Sequence, residues 1–415
     1  MSGGSAPLIA ARRVFLILTF TRWFPVGLVV SLLILWMLER GLSVSTALLA
    51  FSCQGLLVFA LELPTSGFTD ALGRRPVLVA ASVVNVVASV AFLLAGSFWS
   101  FAIAAGLQGV FRALDSGPLE AWYVDTVHAV APDADVDGAL AAQGTVLGGS
   151  IAVGAVLSGA LVAWDPLPVD SALMLPILVW STLNVLHLVL VLALLREPTT
   201  RLDVTGLRRA ADSARQAPKV VRQGLGLLKH NPVLRGVVLV EVFWSVAMIV
   251  FETFQPIRLA ELVGGEEQAG AIMGPVAAGG WAVFALGSAL AGVTSRRLGV
   301  TKTAILARIL NAMGAIVMGL VAGPAALIVA YLFTYSMHGS GGPMHAALLH
   351  REATSRNRAT VLSINSMVAF VVLTIAAPAL GFLADARTNQ VAMVTAGAFS
   401  VMGAIFYLPA LRAEK

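Results

Sequence analysis

Charge is what this chain of 415 residues has least of: Asp, Glu, Lys and Arg together make up 12% of it, whereas apolar residues make up 58%. An ordinary soluble domain carries roughly a quarter charged residues. One or two water-exposed cores could not hide so much apolar surface at this length, so lipid is the solvent that fits. Cysteine is almost absent as well. Cys53 stands alone in an apolar stretch, which excludes a disulfide framework and a thiol metal site. No G-x-x-x-x-G-K-[ST] loop is present, so ATP drive from this chain is not expected. No nucleophile or metal constellation suggests an enzyme or a resident cofactor. Lysine is limited to Lys219, Lys229, Lys302 and Lys415. The abundance of Arg, Ala, Val and Gly points to a GC-rich bacterial genome. The first apolar stretch, 14–36, is too long for a signal-peptide core and lacks a small-residue cleavage site, so it is expected to stay.

What is present is a series of apolar runs of spanning length, about 20 residues each. Helices are expected at about 14–36, 44–65, 76–96, 98–126, 138–164 and 171–195, and again at about 232–258, 268–293, 303–322, 324–350, 357–383 and 390–411. The fold class is therefore all-α integral membrane, with twelve transmembrane helices. Residues 1–195 form a first six-helix bundle, 196–231 a linker and 232–415 a second bundle. Within the linker, Arg208, Arg209, Arg215, Lys219, Arg222 and Lys229 recur among apolar positions at helical spacing, as in an amphipathic helix lying on a membrane surface. The net charge of +5 is spread between spans rather than on one face, so it reads as topology and not as a nucleic-acid surface. Arg12, Arg13, Arg74, Arg75, the linker cations, Arg296, Arg297 and Arg351 fall on one side of the membrane. The positive-inside rule puts that side, with both termini, in the cytoplasm of a bacterial inner membrane.

The halves share patterns at an offset of 225 residues. Gly67 falls on Gly292, in the loops expected after the second and eighth helices, and Ser116-Gly117-Pro118 falls on Gly341-Gly342-Pro343. Two pseudo-symmetric halves with a midplane site between them are a pattern of secondary transporters.

The segment Glu62-Leu63-Pro64-Thr65-Ser66-Gly67-Phe68-Thr69-Asp70-Ala71-Leu72-Gly73-Arg74-Arg75 resembles the loop signature G-x-x-x-D-(R/K)-x-G-R-(R/K) of the major facilitator superfamily. Asp70, Gly73, Arg74 and Arg75 match it. Ser66 stands where the leading glycine belongs, and Ala71 replaces the first basic residue. The resemblance implies the twelve-helix fold of that superfamily and a conformational switch at this loop, with Asp125 as an added partner. The second copy, Gly292 to Gly299, is degenerate, with Ser295 in the place of the acid.

The fourth helix carries Phe111-Arg112-Ala113-Leu114-Asp115-Ser116-Gly117-Pro118-Leu119-Glu120-Ala121-Trp122. A charge near the midplane costs roughly 2.5–3.5 kcal/mol even on lenient scales, so it should face the bundle interior and be paired. Arg112 and Asp115, three apart, can neutralise each other, and Gly117-Pro118 should bend the helix. A structural clasp between Arg112 and Asp115 is the rival to a coupling role. The stretch resembles a drug-efflux branch of the superfamily that includes macrolide-efflux-like proteins, which implies proton-coupled export of amphipathic compounds.

Arg22, Glu241 and His345 add ionisable groups inside spans and complete a candidate coupling set with Arg112, Asp115 and Glu120. For His345, the partner of Glu120 in the repeat, satisfied packing is an equal reading. Glu241 and Glu252, eleven apart, are expected on one face, with Glu252 and Arg258 as a rim pair near the outer end. Trp23, Trp122, Trp244 and Trp281 are candidates for an aromatic substrate cavity, and Trp36, Trp99 and Trp164 for interfacial anchors. The expected partners are a small-molecule substrate, protons and the bilayer, with the chain a monomer and the proton gradient its energy source. A proton-coupled importer of a metabolite, or a non-transporting receptor or scaffold, are the alternatives.

Overall fold

The computed structural model describes residues 5–167, 171–197, 215, 219, 222–354 and 357–414, with the backbone alone at 5–6, 63–64, 66–71 and 359. The described residues form helices and short connections. These are α1 (Ser5–Val29), α2 (Leu32–Glu39), α3 (Val44–Leu72), α4 (Arg74–Leu94), α5 (Phe98–Asp115), α6 (Pro118–Val130), α7 (Asp137–Trp164), α8 (Met174–Leu194) and a helical segment α9 at 222–230. After them come α10 (Pro232–Ile249), a π-helical turn (Val250–Phe254), α11 (Gln255–Val263), α12 (Glu266–Leu298), α13 (Val300–Leu320), α14 (Pro324–Glu352) and α15 (Arg358–Ala386). The chain closes with α16 (Asn389–Val401), a 3-10 turn (Met402–Tyr407) and α17 (Leu408–Ala413).

Joined end to end, these pieces make the twelve spans expected. Nine are long and apolar enough by themselves to cross a membrane, and α1 with α2 qualifies as a pair bent by 41°. The other two, α5–α6 and α14, are the fourth and tenth spans, which are mates in the repeat. Polar composition sets both apart, and for a spanning segment such residues need an interior destination.

The shared Gly-Pro step has two outcomes. Gly117 has φ +93°, α5 stops at Asp115, and α6 restarts with Pro118 in its first turn. The expected bend is a full break. In the second half, by contrast, α14 runs unbroken through Pro343. Pro343 has no N–H for the Gly339 carbonyl four residues back. Ser288 of α12 donates to that carbonyl instead, at 2.8 Å, so the helix continues.

The loops of the repeat need correction. Gly67 and Gly292 lie within α3 and α12, which run on to Leu72 and Leu298. The glycines that turn the chain are Gly73, at φ +94°, and Gly299, at φ +87°; each directly precedes the next helix. Their offset is 226, one more than in the fourth and tenth spans. Arg296 therefore stands in the place of Asp70, rather than Ser295.

Packing separates the two ends of the molecule. At the end remote from the termini, one apolar core takes Trp36, Phe92 and Phe101 from the first six spans together with Ile249, Phe254 and Tyr331 from the last six. Toward the termini there are two cores. One holds Phe15, Leu78, Trp122 and Tyr123, the other Leu234, Val238, Leu348 and Tyr407. The interhelical seams agree. A Cβ on Gly159 of α7 would lie 2.6 Å from the Ala271 carbonyl of α12, and one on Gly274 would lie 2.6 Å from the Ala155 carbonyl. Gly144, Gly148 and Gly149, nearer the terminal end of α7, meet nothing within 4 Å. Among the described residues, the hydrogen bonds that cross between the halves, Ala172 N to Glu267 Oε1 (2.8 Å) and Ser45 N to Asp385 Oδ2 (3.1 Å), are also at the remote end. Among the described residues the halves thus touch at one end and part at the other.

Two further expectations change. Trp36 is fully buried and donates to the Phe92 carbonyl at 3.1 Å, so it is core and not an interfacial anchor; Trp99 and Trp164 are 74% and 70% exposed, as anchors should be. Much of the amphipathic linker helix, including Arg208 and Arg209, lies outside the described residues. Its described end, α9, places Gly224 against Ile364 and Thr360 of α15, so it docks on the second bundle.

The seam gives a direct test. Gly274→Val should crowd α7 and cost about 1–3 kcal/mol, which lowers the midpoint of thermal unfolding in detergent. Gly148→Val, facing open space, should leave the midpoint unchanged. Equal midpoints for the two variants would contradict the seam.

Candidate functional site

Between the halves lies a cavity of about 430 Å³. Its wall comes from α1–α2, α3, α4, α5, α8, the α10 end with its π turn, and α15. Most of the surface is apolar, with Arg22, Gln54, Gln108, Arg112, Glu252 and Thr374 as polar points. Drug-sized sites have this mixture, in which few polar groups fix orientation.

The first-half charges meet here, in a pairing other than the expected one. Asp115 accepts from Arg22 Nε at 2.7 Å, a bond between α5 and α1 in which both side chains are largely buried. The expected clasp of Arg112 with Asp115 is replaced by this pair between helices, in which Arg22 of α1 takes the carboxylate. The Arg22 guanidinium also packs over Phe111, 4.3 Å from the ring centroid, and near Trp23 at 4.8 Å. Such faces favour a cation. Arg112 remains exposed to the cavity, with Glu62 of α3 within electrostatic reach. Glu120, past the break, accepts from Gln143 of α7 and stays out of the cavity wall.

The second half holds a sealed polar cluster. Glu241 of α10 meets His345 Nε2 at 2.9 Å, Arg308 Nη2 at 4.0 Å and Asn365 Nδ2 at 3.4 Å. His345 Nδ1 contacts the Tyr407 hydroxyl at 2.8 Å. Five spans contribute, and none of these side chains lines the cavity. Arg308 packs over Trp244 at 4.4 Å, and Trp244 stacks on His338. Sequence reasoning missed Arg308, Asn365 and Tyr407. The signal for Arg308 was available, since it is a lone arginine well inside a span; the other two are neutral and carry little signal. The second half is thus no poorer in buried charge than the first.

Glu241 and Glu252 do not share a face. The π turn inserts an extra residue, and Glu252, within that turn, faces the cavity. Its expected rim partner, Arg258, instead pairs with Glu261 at 2.7 Å. Glu252 Oε1 accepts from the Tyr335 hydroxyl at 2.9 Å. Of the tryptophans proposed for the cavity, Trp23 lines it. Trp122 is buried in the first-half core and donates to the Arg196 carbonyl at 3.0 Å, and Trp281 packs against Phe284 and Tyr335.

At the signature loop, Gly73 turns the chain and Arg74 Nη2 bonds Asp125 Oδ2 at 3.0 Å, the expected partner. The side chain of Asp70 lies outside the described residues. Glu197 was not anticipated: its two carboxylate oxygens accept from the backbone N–H of Arg74 and Arg75, each at 2.9 Å. A carboxylate there satisfies N–H groups that the first turn of α4 leaves open and opposes the positive end of its dipole. Arg75 also donates to the Leu192 carbonyl at 3.1 Å.

The Arg22–Asp115 bond has a measurable signature. Removing either partner alone, as in Arg22→Gln or Asp115→Asn, should cost about 3–5 kcal/mol because it strands a buried charge. The double variant should recover much of that loss. A double-mutant cycle on thermal unfolding measures the coupling; additive losses would mean that the pair is not an energetic unit.

No curated protein matches the chain in sequence. Among solved structures, the nucleoside transporter NupG superposes with a TM-score of 0.75 at 11% identity, covering 96% of this chain and 98% of that one. A POT family transporter in complex with 5-aminolevulinic acid gives 0.71 at 15% identity, covering 96% and 95%. At such identities the likeness speaks for the fold. The model of the Major Facilitator Superfamily matches residues 15–344, nearly the whole first half and most of the second. With twelve spans in two halves around a shared cavity, this multi-pass membrane chain is a secondary transporter rather than an enzyme, and it belongs to the major facilitator superfamily.

Proposed function

We propose that the protein is a proton-coupled exporter of amphipathic, drug-like compounds in a bacterial inner membrane, with both termini cytoplasmic, working as a monomer. The observation that carries this reading is the buried Arg22–Asp115 pair, whose arginine lines the cavity. Protonation of Asp115 would dissolve the pair and release Arg22, so a proton taken up behind the wall changes a residue that faces the cavity. The aromatic, largely apolar wall suits an amphipathic guest. The separation of the halves at the terminal end would, in that topology, admit guests from the cytoplasm.

Residues 1–195 and 232–415 act as the two rocking bodies, with 196–231 as their tether. The Gly73 turn with Arg74, Arg75, Asp125 and Asp70 works as the switch between states. Glu120 and the Glu241–His345 cluster are the further coupling candidates; the sealing of that cluster makes Asp115 the first choice. Proton-coupled uptake of a metabolite is the second reading, which the same halves, carboxylates and cavity would serve.

Inside-out vesicles with a proton gradient separate the readings. Adding a transported drug should release protons from the lumen as the drug enters. Uptake in right-side-out vesicles alone would favour the importer, and a requirement for sodium would end the proton model. Asp115→Asn should abolish coupled transport while the protein still inserts; unchanged coupling would return the Arg22–Asp115 pair to a structural role. Asp70→Asn should slow turnover and leave substrate binding intact, read by transport rate against equilibrium binding.

A further inference from the structure

Most of the charges described within the spans have a partner. Asp115 has Arg22, Glu241 has His345 and Arg308, and Arg258 has Glu261. Two cavity-lining charges stand apart. The Arg112 guanidinium forms no hydrogen bond or ion pair among the described residues, although it faces the cavity from α5. Glu62 and the already paired Asp115 act on it through space, without a hydrogen bond. Glu252 takes one hydrogen bond from the neutral Tyr335 hydroxyl and meets no cation among the described residues. It reaches the cavity from the other half, on a π turn, an irregularity that is often found at functional sites. A charge at this depth without a counter-charge is costly. The compensating partner is then expected from what enters the cavity.

We infer that the central cavity takes a molecule bearing both an anionic and a cationic group, with Arg112 contacting the anion and Glu252 the cation. A guanidinium offers a planar fork that matches a carboxylate or phosphate. A carboxylate held by a tyrosine hydroxyl keeps its remaining lone pairs for an ammonium. Rings of Trp23, Phe51, Phe92, Phe111, Trp180 and Phe370 line the same wall, so the body joining the charged groups is apolar or aromatic. Such a guest bridges the halves, because Arg112 belongs to the first and Glu252 to the second. It would draw them together by charge pairing, which neither a monocation nor a monoanion could do from both sides. This rests on the cavity being the transport site and deepens that reading with a substrate class.

The test uses the full-length protein in lipid nanodiscs with no gradient. Trp23 and Trp180 in the wall report occupancy through their fluorescence. The probes are 4-phenylphenylalanine, its methyl ester and its N-acetyl derivative, which share one body and present both charges, the cation alone and the anion alone. The zwitterion should bind about tenfold or more tightly than either derivative, the value of one charge-assisted contact. Glu252→Gln should bring the zwitterion down to the level of the N-acetyl derivative and leave that derivative unchanged. Arg112→Gln should do the reverse, bringing it down to the level of the methyl ester. Equal binding of the three probes, no binding of the zwitterion, or a uniform loss across probes in either variant would overturn the inference. Elution as a single species and an unchanged unfolding midpoint establish that each variant is folded. Vesicle transport is measured separately. Loss of proton coupling with this binding pattern intact would fail the exporter reading alone, and intact coupling with no charge preference would fail this inference alone.

Discussion

A charge inside the hydrocarbon layer has to be met by something in the protein or by something passing through it. Much of this molecule follows from that constraint. It draws α1 to α5 through Arg22 and Asp115, and it ties α10 to α13 and α14 through Glu241, Arg308 and His345. It also divides the buried charges into two kinds. Those sealed within one half can stay paired while the halves move, and those in the cavity wall experience each change of occupancy. The second kind is where transport chemistry belongs.

Irregular backbone serves the same end. A regular helix would hold Glu252 on the face of Glu241. The π turn at Val250–Phe254 redirects this carboxylate, and Glu252 gains the cavity. The break at Gly117 separates Glu120, which stays out of the cavity wall, from Arg112, which lines it. Unpaired carbonyls at such interruptions are tolerated where protein or a cavity surrounds them. The continuous course of α14 through Pro343 makes the complementary point. Ser288 supplies the missing donor, so the tenth span stays straight enough to carry His338 and His345 to different neighbours.

The sequence made the fold legible because lipid imposes a long, uniform apolar requirement on each span. Even the fourth and tenth spans could be placed, by their neighbours and by the repeat. Charges inside spans were visible for the same reason, as with Arg22, Asp115 and Glu241. Their partners were less visible, because pairing runs between helices while the sequence displays only neighbours along one helix. The Arg112–Asp115 spacing suggested a local clasp, and Arg22 of another helix takes the carboxylate instead. Glu252 was read by a regular period that the π turn does not keep. The tryptophans illustrate the same limit. Trp23, Trp122, Trp244 and Trp281 are alike in sequence context, yet the rotation of each helix sends only Trp23 into the cavity wall.

The two ends of the molecule divide the work of movement. At the remote end, glycines bring α7 and α12 into backbone contact, and carboxylates of the second half accept from N–H groups of the first at Ser45 and Ala172. Beside these bonds, α7 and α12 form a close-fitting seam. Close packing of this kind has one good arrangement and resists partial opening, so separation there is expected to be cooperative rather than gradual. At the terminal end, the signature loop is held within the first half by Asp125 and Glu197. Glu197 also begins the linker. A pull on the linker would therefore act first on the N-terminus of α4. If the halves rock as proposed, that contact couples the tether to the signature loop.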